Sequence, residues 1–171
     1  MIYFIILLAV ISRFVPHLNN FAPITALAIF SAVYLPRKQA IAIPLVVRFV
    51  SDVFLGFFSW PLMLAVYGAH LSGVLFGLWI KNNKLGFFSK TLKVLASSLG
   101  ASVVFFLVTN FAFLYAEYPH TWAGIISAYV NGLPFLRGTV IGDLSYVVAL
   151  FGAYEVVLYL VKQKSVQKQL V

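Results

Sequence analysis

The sequence predicts an all-α membrane protein, a single domain over residues 1–171 built as a six-transmembrane-helix bundle, and three observations predict it. The first is composition: 63% of the residues are hydrophobic and only 9% charged, with a mean hydropathy of +1.01, whereas an ordinary soluble domain carries about 25% charged residues. The second is that the apolar residues fall in runs near the ~20 residues needed to cross a hydrocarbon core, joined by short connections. The third is that the lysines and arginines behind the net charge of +8 gather between those runs, as cytoplasmic loops do, and do not line up as a nucleic-acid face. Such a chain leaves no room for a soluble catalytic domain. Cysteine is absent, which excludes disulfides, thiolate metal sites and cysteine nucleophiles.

The first span is expected over residues 2–15. MIYFIILLAVISRF has no basic leader and no small-residue cleavage site, so it reads as a mature helix and not a removable signal. Pro16 and the His17-Leu-Asn-Asn that follows make a turn. The second span, 21–35, carries Pro23 at its start, where a missing N–H costs little, and closes at Pro36-Arg37-Lys38. The third, 40–58, contains Arg48 and Asp52, and Trp60-Pro61 turns the chain into the fourth, 62–80. KNNKLGFFSKTLK, with Lys81, Lys84, Lys90 and Lys93, leads to a fifth span over 92–115. The polar, aromatic connection after it holds an amphipathic stretch, 122–130, too short to cross, which reads as an interfacial or re-entrant segment. The sixth span, 139–161, runs into a tail bearing Lys162, Lys164 and Lys168.

Nine of the twelve basic residues lie in the 2–3 connection, the 4–5 connection and the tail. An even number of spans puts all three on one face, and the positive-inside rule makes that face, with both termini, cytoplasmic. The expected location is therefore a bacterial cytoplasmic (inner) membrane, crossed several times.

Ionisable groups inside apolar runs cost roughly 2.5–3.5 kcal/mol each on insertion scales, so they face the bundle interior and find partners. Arg48 and Asp52 stand four apart, on one helix face. Arg13, Arg137 and Asp143 come to similar depth at the outward ends of other spans. His17, Asn20, Asn110, His120 and Asn131 join them, along with Asn19. This convergence predicts a substrate-binding pocket open to the outer face. A charge network that only locks the helices together predicts the same burial.

No metal site is expected, because His17 and His120 stand in no His-x-x-x-His or Glu-x-x-His spacing. His70, in YGAHLSG, reads as a packing histidine. Asp52 and Asp143 could form an acid/base pair, yet no motif supplies a nucleophile, so the chain is read as a non-enzyme that needs no cofactor. Ala22-Pro-Ile-Thr-Ala26, Ala28-Ile-Phe-Ser-Ala32, Gly73-Val-Leu-Phe-Gly77 and Gly138-Thr-Val-Ile-Gly142 are small-xxx-small patterns that let helix backbones approach closely.

PHLNNFAPITALAIFSAVYLP, PLVVRFVSDVFLGF and GLPFLRGTVIGDLSYVVALFGAYE together resemble an uncharacterised bacterial family of small integral membrane proteins. That family is itself similar to the substrate-binding S components of energy-coupling-factor vitamin transporters. The resemblance implies an S-component-like bundle that captures a vitamin, cofactor precursor or similar small organic molecule from the outer face. It also implies a transmembrane coupling protein with ATPases as partner, beside the lipid bilayer, with no nucleic acid. The first helix, IYFIILLAVISRF, lacks the Ala-x-x-x-Ala docking face common in S components. The alternative from another class is a structural or scaffold subunit held by the small-residue faces in a larger membrane assembly.

Overall fold

Apolar residues of high helix propensity, separated by proline, glycine and asparagine, fold into helix after helix. The computed structural model describes residues 2–15, 20–83 and 86–169, with the side chains of Ala112 and residues 164–169 outside that description. Within it lie α1 (Ile2–Ser12), α2 (Ile24–Tyr34), α3 (Arg37–Leu55), α4 (Trp60–Lys81), α5 (Phe87–Thr109) and α6 (Trp122–Gln169), with a 3-10 turn at Ala112–Leu114 and no strand among the described residues. Local chemistry marks several boundaries. Pro36 precedes α3, Gly56 ends it at a φ of 102°, and Pro61 occupies the first turn of α4.

Among the described residues six helices form, and three of them, α4, α5 and Trp122–Gln163 of α6, are long and apolar enough to cross a membrane. The expectation of six spans is corrected accordingly. α1 and α2 have 11 residues each, about 16 Å of helix against a hydrocarbon core of about 30 Å. α3 has 19 residues but includes Arg37, Lys38, Arg48 and Asp52. Several boundaries also move: α3 covers Arg37–Leu55 and not 40–58, and α5 begins at Phe87 and not near 92. α5 stops at Thr109 and not near 115, because the Asn110 side-chain amide turns back to the Phe106 carbonyl at 2.9 Å. Residues 122–130 are the first turns of α6 and not a separate segment, and the helix runs unbroken through Pro134.

α2 is the axle of the bundle. Every residue from Ile24 to Val33 is buried, and α3, α4, α5 and α6 all pack on it. A helix apolar on all sides satisfies that position. Its closest neighbour is α4, and two of the small-residue patterns meet there. A Cβ on Gly73 would lie 3.0 Å from Ala28 Cβ, and one on Gly77 would lie 2.6 Å from both Ala32 Cβ and the Ile29 carbonyl. Gly142 on α6 approaches the backbone of Phe21 and Ala22 in the same manner. Farther along, Phe30 and Tyr34 of α2 pack against Phe151 and Tyr154 of α6.

The two ends of the bundle differ chemically. At the lysine-rich end, Tyr3 donates to Gln39 at 3.0 Å, Lys81 caps α2 through the Leu35 carbonyl at 2.6 Å, and Lys90 pairs with Glu155 at 3.3 Å. The opposite end holds the α3–α4 turn, the Asn110–Thr121 connection and most of the remaining polar residues.

Candidate functional site

At that opposite end a partly open cavity of about 470 Å³ lies among α3, α4, α5, α6 and the connection after α5, within the range of small-molecule sites. Its polar lining is Asn20, Arg48, Thr109, Asn110, Tyr115, Glu117, Tyr118 and Asn131, over an apolar floor that includes Leu62, Val66, Ala128 and Phe135. The end of α5 and the connection after it supply most of these groups. Asn20 sits just before α2 with a φ of 60°, a conformation asparagine tolerates better than most residues. Gly132 lets the α5–α6 wall close up: a Cβ there would fall on Asn110 Oδ1 and within 3.1 Å of the Phe106 ring. Asn131 Nδ2 donates to the Tyr118 hydroxyl at 3.1 Å and ties the connection to α6.

Behind the cavity stands a buried charge cluster. Arg48 Nε donates to Asp52 Oδ2 at 2.9 Å, the spacing of four putting both groups on one face of α3. Arg13, just past α1, reaches the other carboxylate oxygen at 3.6 Å and donates through Nε to Ser51. The Tyr67 hydroxyl donates to Asp52 at 2.9 Å. Two guanidinium groups thus share one carboxylate, leaving a formal charge of +1. Arg48 also lies 5.5 Å from the Phe58 ring, and its Nη atoms make no hydrogen bond within the described residues, which leaves them to the cavity. Burial, followed by the charges of Tyr118 and Glu117, pushes the Tyr115 phenol above its ordinary pKa. It therefore stays a neutral donor, bonded to the Thr109 carbonyl at 2.6 Å.

Of the residues singled out from sequence, Asn20, Arg48, Asn110 and Asn131 meet in this cavity, and Arg13 and Asp52 stand directly behind Arg48. Three others do not join them. Asp143 is buried inside the bundle, where Ser102 donates to it at 2.7 Å. His120 is exposed against the Phe113 ring at 4.4 Å, and Arg137 is exposed on α6. His17, with Asn19, lies outside the described residues. Trp60 and Trp122 are exposed and do not line the cavity.

Sequence reasoning did not single out Phe58, Thr109, Tyr115, Glu117 or Tyr118, all of which line the cavity. The signal for them was the polar composition of the Asn110–Thr121 connection, which has to fold back over the end of the bundle to start α6. Among the described residues no group of three His, Asp or Glu side chains is placed to hold a metal ion.

No curated protein and no solved structure matches this chain. A family model does, over residues 1–168, that is, α1 through nearly all of α6, and its description is a family of unknown function. The chain accordingly belongs to that family, DUF6580.

Proposed function

We propose that this protein is a membrane-embedded substrate-binding protein that captures a small organic molecule in the cavity at Arg48, and that it serves transport, not covalent chemistry. One observation carries the reading: a cavity of about 470 Å³ combines a guanidinium with free donors, several amides and phenols, and an apolar floor. The surplus positive charge of the Arg13–Asp52–Arg48 cluster favours a carboxylate or phosphate at Arg48, which can hold such a group by two parallel hydrogen bonds. Glu117 and the asparagines would then orient an amine or hydroxyl elsewhere on the ligand.

The positive-inside rule turns the lysine-rich end toward the cytoplasm and the cavity outward, the side from which a vitamin or cofactor precursor would be taken up. In this reading the chain acts as an energy-coupling-factor S component acts, delivering its ligand through a transmembrane coupling protein with ATPases. α1 presents Tyr3, Phe4, Leu7, Leu8 and Ile11 to its surroundings, so docking on such a partner uses another face.

The scaffold alternative depended on small-residue faces being available to partners. The Ala28/Ala32 and Gly73/Gly77 faces are instead filled by each other, and Gly142 by Phe21 and Ala22, which supports binding over scaffolding.

Protein purified in nanodiscs and screened by native mass spectrometry against organic acids, vitamins and cofactor precursors is expected to retain one class of ligand. Arg48→Ala should weaken retention at least about tenfold, the loss expected when a charged hydrogen bond worth about 1.5–3 kcal/mol is removed. The fold should survive, since Asp52 keeps Arg13. Gly132→Ala should displace the Asn110 amide and weaken the same ligand more than it lowers the melting temperature. A wild-type protein that retains nothing across the panel overturns the reading.

A further inference from the structure

At the lysine-rich end α5 and α6 leave a second cavity between them, a groove of about 190 Å³ that the substrate site does not use. Val94 and Val147, both buried, form its floor, and Phe87, Leu95, Val148 and Phe151 form its walls. Its rim is exposed at Thr91, Val148 and Gly152. The local sequence of α6 keeps it open. Gly152 has no side chain, and a Cβ there would meet nothing within 4 Å. The neighbouring Phe151 ring is engaged by Phe30 at 5.3 Å and Tyr34 at 5.6 Å and does not close the gap.

Both walls belong to helices long and apolar enough to cross a membrane, so the groove opens on hydrocarbon and not on water. From Phe87 to Leu95 on α5, and from Glu155 back to Val147 on α6, the helices advance about 12 Å, close to the ~15 Å of one leaflet in a hydrocarbon core of about 30 Å. A partner helix, about 10–12 Å across with its side chains, is too wide for a slot of this volume. A single acyl chain is not.

The polar residues of the groove gather near its lysine-rich end. Lys90 Nζ donates to the Tyr34 hydroxyl at 2.8 Å and to Glu155 Oε1 at 3.3 Å. An ammonium has three hydrogens, so one is left for an incoming acceptor. Further positive charge stands close by. Lys81 is held by the Leu35 carbonyl, next to Tyr34, at 2.6 Å, and Lys93, one turn on from Lys90, lies 4.6 Å from the Trp79 ring. Neither meets a carboxylate among the described residues. Of the four acidic residues in the chain, only Glu155 stands at this end, so a positive surplus remains beside an apolar slot one leaflet deep.

We propose that this groove binds one acyl chain of an anionic phospholipid, with the lipid phosphate at Lys90. The chain covers Val94 and Val147, and the headgroup takes the third Lys90 hydrogen without displacing Tyr34 or Glu155. Held there, the lipid bridges α5 and α6 where Lys90, Tyr34 and Glu155 already join α2 to both. Anionic lipid is favoured over zwitterionic lipid because the surrounding lysines attract a net negative headgroup.

Native mass spectrometry of the full chain, released into mild detergent from nanodiscs of equal phosphatidylglycerol and phosphatidylcholine, tests this. No substrate is needed, so failure here and failure of the binding reading are separate results. The wild type is expected to keep one phosphatidylglycerol, preferred over phosphatidylcholine at least about fivefold, and Lys90→Gln should reduce that preference below about twofold. Tyr34 stays bonded to Glu155 in that variant, at 3.3 Å. Gly152→Leu, which puts a side chain into the open space, should lower retention at least about tenfold by excluding the acyl chain. Gly68→Leu, equally open on α4, should retain lipid as the wild type does. Where a variant does not fold, phosphatidylglycerol with a diazirine in its acyl chain decides on the wild type: the singly lipidated protein should be labelled between Phe87 and Leu95 or between Val147 and Glu155. No retained lipid, a retained polypeptide in its place, retention without preference for the anionic lipid, unchanged retention in folded Gly152→Leu, or labelling confined to other segments overturns the proposal.

Discussion

Asp52→Ala is expected to destabilise the protein by about 3–5 kcal/mol, the cost of leaving buried charges without their counterion. Asp52 is 1% exposed and is shared by Arg13, 7% exposed, and Arg48, 9% exposed. Without it two guanidinium groups repel each other in the interior, and the Tyr67 hydroxyl loses its acceptor. Total stabilities of about 5–15 kcal/mol make this a large fraction. Thermal unfolding followed by circular dichroism in detergent measures it. Adding Arg13→Leu to Asp52→Ala should restore part of the loss, because one of the two stranded charges then disappears. An Asp52→Ala protein that melts with the wild type would mean that water already reaches the cluster.

The second large effect is expected at Gly77. Leucine there places a Cβ 2.6 Å from the Ile29 carbonyl and from Ala32 Cβ, closer than real atoms pack. The obstacle is backbone on the central helix, which has no room to retreat, since α2 is surrounded on every side. Gly77→Ala should cost about 1–3 kcal/mol by overpacking, and Gly77→Leu more, with little folded protein recovered. Gly68→Ala, on the same helix with nothing within 4 Å of the added carbon, is the control. Alanine's better helix propensity should leave it neutral or stabilised by up to about 1 kcal/mol. Titration into a denaturing detergent, with helicity as the readout, separates the two positions.

Much of the helical order was legible in the sequence because proline, glycine and asparagine stop helices for local reasons. Pro36 separates α2 from α3 and Pro61 stands at the start of α4, near the boundaries expected there, and the Arg48–Asp52 spacing foretold their pair. α2 was misread for a physical reason: lipid tails are as apolar as leucine, so composition cannot tell a helix bathed in lipid from one enclosed by protein. Residues 122–130 read as a separate segment because the amphipathic stretch is too short to cross, whereas α6 continues from there through Pro134. Asp143 was assigned by depth to the cavity charges. Its hydrogen-bond partner, Ser102, is a hydroxyl, and an uncharged group leaves no mark in a charge pattern. Glu117 and Tyr118 reach the cavity through the path of an irregular connection, which no periodicity encodes.

The enclosure of α2 also bears on how the chain is made. Synthesis delivers this helix second, yet the last of its neighbours, α6, emerges only after residue 122. At 11 residues it is too short to settle across a bilayer by itself. Until the final segment arrives, the nascent polypeptide holds its most enclosed helix half covered, short of a wall that has yet to be translated.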